Sequence, residues 1–267
     1  MSEKVVLILV DGMRPDGMLQ CGHPFVKELM SKASYSLTAH TVFPSVTLPC
    51  HMSLFHSVDP DRHGITTNTF TPQVRPVPGL YEQLHQAKRS TAMYYTWQEL
   101  RDVARPNHVG VGALINLHKY TEADQKITNA FLRDLPEYLP DFTFLYLGDT
   151  DETGHKYGWL SEEYEKAIYN AFDCIEKVWH ALPAEYTLIV QADHGGHSRG
   201  HGTEMPEDMT IPVLICGKRF AAGKDLGEIN IKDIAPTVAA LLDTPAADEW
   251  EGTSLLPEGE CYGATCI

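Results

Sequence analysis

Long apolar runs, a basic surplus and cysteines at metal-binding spacing are all missing from this sequence, and each absence narrows what the protein can be. The leading apolar run, Val5 to Val10, is six residues long. That is too short to cross a bilayer or to form the apolar core of a secretion signal, and no small-residue cleavage site accompanies it. The expectation is a cytoplasmic protein with no membrane partner. Lysine and arginine number 21 against 36 aspartates and glutamates, a formal net charge of −15. This disfavours a nucleic-acid polymer or an anionic membrane surface as partner. A small anionic substrate is still allowed, because bound dications would dominate the local field and would themselves need carboxylates around them. The six cysteines, Cys21, Cys50, Cys174, Cys216, Cys261 and Cys266, form no Cys-x-x-Cys pair. Reduced thiols are the simpler reading, with a Cys261–Cys266 disulfide left open. No repeat, low-complexity tract or linker divides the chain, so residues 1–267 read as one domain.

Hydrophobic residues make up 43% of the chain and are spread along it, enough to build a core and to exclude a disordered chain. Short β-rich runs alternate with helical segments, the pattern of an α/β fold: a three-layer α/β/α sandwich around a mostly parallel central sheet. Strands are expected at Val5–Val10, Phe142–Leu147, Tyr186–Gln191 and Ile211–Cys216. Helices are expected at Pro24–Lys32, Gly79–Ala87, Glu122–Leu135, Ser161–Ala181 and Ile231–Leu242. Three of the strands run into acidic residues: Val10 into Asp11, Leu147 into Gly148-Asp149-Thr150-Asp151, and Gln191 into Ala192-Asp193-His194. In a parallel sheet the carboxyl ends share one edge, where such folds place their ligands. One strand-end aspartate is an ordinary turn residue. Three together, two of them with histidines nearby, point to a metal centre.

Asp151 and His155 are four residues apart, and Asp193, His194, His197 and His201 fall within nine. Carboxylate and imidazole donors suit zinc or manganese, and the lack of clustered cysteines argues for a catalytic rather than a structural site. A His-rich surface loop without metal is the alternative reading. The segment Pro44-Ser-Val-Thr47-Leu-Pro49-Cys-His51 places a threonine where a helix continuing to Phe55 would begin, with Pro49 in its first turn. A helix N-terminus favours a phosphate or an alkoxide, and contact with a dication lowers a hydroxyl's pKa. Alone, Thr47 reads as an N-cap; beside a metal cluster it reads as a nucleophile.

Val5-Val-Leu-Ile-Leu-Val-Asp11-Gly-Met-Arg14 resembles the opening of the type I phosphodiesterase/nucleotide pyrophosphatase branch of the alkaline phosphatase superfamily. Pro44 to His51 is similar to that branch's nucleophile segment. Asp61-Arg-His63-Gly-Ile-Thr-Thr-Asn68 resembles its His-Gly-Ile-x-x-Asn, and Asp151-x-x-Gly-His155, Asp193-His194-Gly and His201-Gly-Thr203 match the remaining motifs in order. The resemblance implies one divalent ion held by Asp11, Thr47, Asp193 and His194 and a second held by Asp151, His155 and His201, zinc in the first instance and manganese as the alternative. It implies that Thr47 attacks phosphorus to give a phosphothreonine, and that Asn68 binds a phosphoryl oxygen. Trp97, ending a segment similar to a family strand, is expected either to stack on a substrate group or to fill core.

His197 competes with His201 as a ligand; the Gly-Thr after His201 and the apolar strand beyond favour His201. His51 and His63 are expected to be hydrogen-bonded core residues, Asp149 a turn residue, and Arg14 either a site residue or half of a surface ion pair. The short gap between His194 and His201 implies a compact, bacterial-type member. A sulfatase is disfavoured, because Thr47-Leu-Pro49-Cys-His51 has Thr and His where formylglycine formation needs Cys or Ser and Arg. Three functions stay open: cleavage of phosphodiester or nucleotide pyrophosphate bonds in a small-molecule phosphate ester or nucleotide; phosphonate or phosphomonoester hydrolysis or a phosphomutase reaction; and a catalytically silent metal-binding recognition protein. Oligomeric state is not legible.

Overall fold

The computed structural model describes residues 3–257. Cys261 and Cys266 lie outside them. In chain order the elements are β1 (Lys4–Val10), α1 (Pro15–Gln20), α2 (Pro24–Lys32), β2 (Ser34–His40), α3 (Thr47–His56), α4 (Pro60–His63), α5 (Leu80–Gln86), β3 (Thr91–Tyr95), β4 (Val111–Leu114), α6 (Ala123–Tyr138), β5 (Phe142–Leu147), α7 (Asp149–Tyr157), α8 (Glu162–Ala181), β6 (Tyr186–Gln191), α9 (Pro206–Met209), β7 (Thr210–Cys216) and α10 (Ile234–Leu241). The four strands expected from apolar runs are present within a residue of their expected bounds. So are the five helices, whose ends shift by up to three residues.

The strands form one sheet in the order β2-β7-β6-β1-β5-β3-β4. β6, β1 and β5 are parallel neighbours, with Leu9 opposite Gln191 and Val10 opposite Leu147. This register brings their three carboxyl ends to one level. β7 departs from a purely parallel sheet, running antiparallel to both β6 and β2. All residues of β5 and β6, and Val5 to Val10 of β1, are buried, as apolar strands must be when helices cover both faces. α6 and α8 pack together, over β5 and β3 and over β1, while α10, α3 and α5 form a second group on β1 and β3. Among the described residues no helix is long and apolar enough to cross a membrane.

Candidate metal centre

β1 ends at Val10, and Asp11 follows with its amide still donating to Leu147 O at 2.9 Å. Gly12 then takes φ +66°, a conformation that costs glycine little. Its N–H thereby reaches Asp193 Oδ1, 3.2 Å away beyond the end of β6. On the other side of β1, Gly148 opens α7, whose first turns carry Asp151 and His155. The carboxylate of Asp124, on α6, accepts the amides of Gly148 and Asp149 at 2.9 and 3.1 Å and so fixes the start of α7. Asp149 is accordingly a helix-start residue, close to the expected turn role.

Thr47 is the first residue of α3, behind an N-cap, Val46, that has no capping side chain. The Leu48 amide donates instead to Asn68 Oδ1 at 3.0 Å. Because that oxygen accepts, the Asn68 amide nitrogen is left to donate elsewhere. Pro49, in the first turn, costs no intrahelical bond. Thr47 is buried at 4% exposure, with Oγ1 3.1 Å from His194 Nε2.

Two groups of donor atoms result, each lying within 4.8 Å of one another: Asp11, Asp193 and His194, and Asp151, His155 and His201. Stacked His194 and His201 rings, 3.8 Å between centroids, join them. His197 belongs to neither; its Nδ1 pairs with Asp208 Oδ1 at 2.7 Å. His201, not His197, is thus the histidine placed beside Asp151 and His155. His51 donates Nδ1–H to Thr47 O at 2.7 Å and stacks edge-on against Tyr146, and His63 bonds Ser53, so both are core histidines. Arg14 pairs with Asp16 and with Gly196 O rather than facing the groups.

The donors fit a dication on three counts. First, Asp11 Oδ1, Asp151 Oδ1 and Asp193 Oδ2 are buried with no hydrogen-bond partner among the described residues, a costly state for a carboxylate. Second, each histidine gives its other nitrogen to a carbonyl: His194 to Gly195 O at 2.8 Å, His155 to Arg199 O at 3.0 Å and His201 to Ser45 O at 2.8 Å. A carbonyl only accepts, so Nδ1 carries the proton and Nε2 presents a bare lone pair, the usual arrangement behind a histidine ligand. The Nε2 atoms of His155 and His201 face each other at 3.2 Å, which repels unless a proton or cation lies between. Third, the titrations suit it. Burial pushes Asp11 well up, helped by the charges of Asp193 and Asp151, and burial pushes Asp151 up to about 6. Burial also acts to raise Asp193, but His194, His51 and the Gly12 amide hold it below the usual carboxylate range. Burial lowers His194, and lowers His201 to about 4, so both imidazoles are neutral at pH 7.

Three supporting residues were not anticipated. The Tyr146 hydroxyl donates to Asp11 Oδ2; a tyrosine in a strand buried on both faces needs such a partner, and that was the available signal. Trp159 Nε1 donates to Gly12 O at 2.9 Å, and its ring lies edge-on to His155. Asp208 had no signal, being one acid among many. Asp11, Thr47, Asn68, Trp97, Asp151, His155 and His201 all line one cavity of about 130 Å³, closed by Leu117, Tyr146, Gly148 and Glu152. Trp97 is thus on the cavity wall, while also packing against the core.

The family model of type I phosphodiesterases and nucleotide pyrophosphatases matches residues 5–110 and 80–200. The chain belongs to that family. It is one branch of the alkaline phosphatase superfamily, whose fold the seven-stranded sheet shares. Among its relatives, the rat ectonucleotide pyrophosphatase/phosphodiesterase family member 1 is 24% identical over 276 residues, 93% of this chain and 28% of that protein. The 2,3-bisphosphoglycerate-independent phosphoglycerate mutase of Desulforudis audaxviator is 32% identical over 138 residues, 49% of this chain and 26% of that one. The chain spans about a quarter of the length of such curated relatives. The structure of murine ectonucleotide pyrophosphatase/phosphodiesterase 5 in complex with AMP superposes with a TM-score of 0.77 at 15% identity, covering 92% of this chain and 96% of that one. At that identity the likeness is one of fold.

Proposed function

We propose that the protein is a two-metal phosphohydrolase that cleaves phosphodiester or nucleotide pyrophosphate bonds through a phosphothreonine on Thr47. The observation that carries the reading is the buried Thr47 hydroxyl at the start of α3, within 3.1 Å of His194 Nε2, in a site with three buried carboxylate oxygens that accept no hydrogen bond among the described residues. Asp11, Thr47, Asp193 and His194 would hold one ion, and Asp151, His155 and His201 the other. The donors suit zinc, with manganese as the alternative. When bound, the ions supply Lewis acidity to the attacking hydroxyl and to the departing oxygen.

The chain's own residues do the rest. The Thr47 hydroxyl gives up its proton to solvent and Oγ1 attacks phosphorus as the bond to the leaving oxygen breaks on the opposite side, the leaving oxygen taking its proton from solvent. The Asn68 amide nitrogen and the helix-start N–H of Thr47 are placed to donate to the phosphoryl oxygens as charge moves onto them. Water then hydrolyses the phosphothreonine, returning Thr47 and releasing phosphate or its monoester. No lysine or arginine lines the cavity among the described residues. Beyond the two ions, a dianionic monoester would meet no cationic side chain there, whereas the monoanion of a diester needs none.

The phosphoglycerate mutase relative supports a second reading, monoester or phosphonate hydrolysis or a phosphomutase reaction. A silent binding protein is the third; it does not account for an intact nucleophile beside a full donor set. We also propose one catalytic domain, since all seven strands join one sheet, and a reducing cytoplasmic setting, supported by the thiols of Cys21, Cys50 and Cys174, which form no disulfide among the described residues. The test is kcat/KM for bis-p-nitrophenyl phosphate against p-nitrophenyl phosphate on zinc- and manganese-loaded protein. A strong diester preference is expected. A monoester preference would favour the second reading, and no turnover of either with metal bound would favour the third. Thr47→Ala is expected to abolish turnover while keeping most metal binding; substantial residual turnover would sink the covalent route.

A further inference from the structure

In-line displacement sends the leaving group away from Thr47, toward the side of Asp151, His155 and His201. That side is the open one: the His155 side chain is 43% exposed, whereas His194 is fully buried. The cavity wall there is completed by Glu152, one residue past Asp151 on α7. Among the described residues Glu152 is the only charged side chain on the cavity outside the candidate metal ligands. Its carboxylate is 47% exposed, and its nearest basic neighbour is His118, 3.6 Å away and itself 53% exposed. Glu152 and His155 are also shared with an adjoining open groove of about 730 Å³ between α7 and α8. That groove carries five carboxylates, among them Asp149, Glu162 and Glu163, against two lysines, Lys156 and Lys166.

Resting on the phosphodiesterase reading, we propose that Glu152 is a specificity-determining residue that selects leaving groups by charge. It admits a neutral or cationic alcohol and rejects an anionic leaving group such as pyrophosphate. The physical basis is repulsion between one fixed carboxylate and a charge on the departing group: the two ions attract the reacting phosphate of every ester alike, and among the described residues no arginine or lysine on the cavity wall offsets Glu152. Attack of Thr47 on the α-phosphorus of a nucleoside triphosphate would break the α–β anhydride bond, and the departing pyrophosphate would carry its charge past Glu152 and into the acidic groove. An uncharged or ammonium-bearing alcohol would not be opposed. The same enzyme chemistry therefore divides, at this residue, into a diesterase that works well and a pyrophosphatase that works poorly.

Three aryl methyl phosphodiesters of 4-nitrophenol make the test: one unsubstituted, one with a remote carboxylate and one with a remote trimethylammonium group on the leaving ring. With the metal-loaded wild type, kcat/KM is expected to fall from cationic to neutral to anionic. The neutral-to-anionic step should be about fivefold at low salt and should shrink as ionic strength rises from about 20 mM to about 500 mM. Glu152→Gln should compress the order and Glu152→Lys should invert it. The binding constants of the three esters for metal-loaded Thr47→Ala should follow the same order, which tests the selection even where turnover is absent. Equal effects of Glu152→Gln on all three, or equal binding of all three, would overturn the proposal. Failure of every ester to turn over, with the binding order intact, would count instead against the phosphodiesterase reading.

Discussion

Asp208 carries none of the chemistry assigned to Thr47, yet its carboxylate spans the loop that presents His201. One oxygen takes His197 Nδ1–H at 2.7 Å and the other takes the Thr203 amide and hydroxyl at 2.9 and 2.7 Å. Hydrogen bonds to a buried charge contribute about 1.5–3 kcal/mol. Asp208→Asn is therefore expected to destabilise the fold by about 1–3 kcal/mol and to weaken metal binding at Asp151, His155 and His201 more than at the other group. Chemical denaturation and a two-site zinc titration would check it; equal weakening at both groups would mean the loop is held by other contacts. His63 gives a pH signature of its own. Burial, with His56 nearby, lowers it to about 4 from 6.5. The unfolded chain then takes up a proton at higher pH than the folded one. Stability is full above about 6.5 and falls as pH drops through about 4, by roughly 3 kcal/mol. His63→Asn should flatten that acid limb in urea titrations; an unchanged slope would assign the loss to other groups.

At the scale of elements, the candidate centre is three parallel strand ends, one helix start and one tryptophan that ties them. Cβ atoms at Gly154 and Gly196 would lie 2.8 and 2.1 Å from the Trp159 ring. The indole thus occupies the space those two glycines leave, one from α7 and one from the loop after β6. Its Nε1 reaches back to Gly12, beside Asp11. Gly196→Ala should force these segments apart, with overpacking costing about 1–3 kcal/mol or more and weaker metal binding. Trp159→Phe, which keeps a ring but loses the N–H, should cost only about 1 kcal/mol, because the Tyr164 hydroxyl also donates to Gly12 O, at 2.8 Å. Thermal melts of the two variants rank these effects; a milder alanine than phenylalanine change would show the loop yields freely. The strand-end aspartates were readable because Asp directly after an apolar run marks where that run stops. Trp159 was not, because its partners are close only after α7 and the β6 loop have folded onto β1.

For the whole molecule, removing metal should lower the melting temperature, since binding confined to the folded state adds directly to stability. The gain depends on pH. Asp151, raised to about 6, must lose its proton to bind, whereas His201, lowered to about 4, already has. Without metal, a raised carboxyl contributes stability below about 4 and loses it as pH rises through about 6; metal reverses this. The melting-temperature difference between metal-loaded and metal-free protein should therefore widen from about pH 5 to about pH 7. A constant difference across that range would remove Asp151 from the ligand set.

Sequence alone determined the α/β layering, the strands that end in aspartate, the threonine at a helix start and the order of the candidate ligands. These are local properties: apolar runs, their lengths, and the donor chemistry of the residues that follow them. The resemblance implied which donors share a group, but only the tertiary structure gives the physical basis: Asp11 and Asp193 meet through the register of β1 against β6, not through spacing along the chain. Packing likewise put His197 with Asp208 and His201 with Asp151, a choice left open by two histidines four residues apart. It also turned Glu152 toward the cavity and left the wall without a cation, since side-chain direction on α7 depends on how that helix rests against α8.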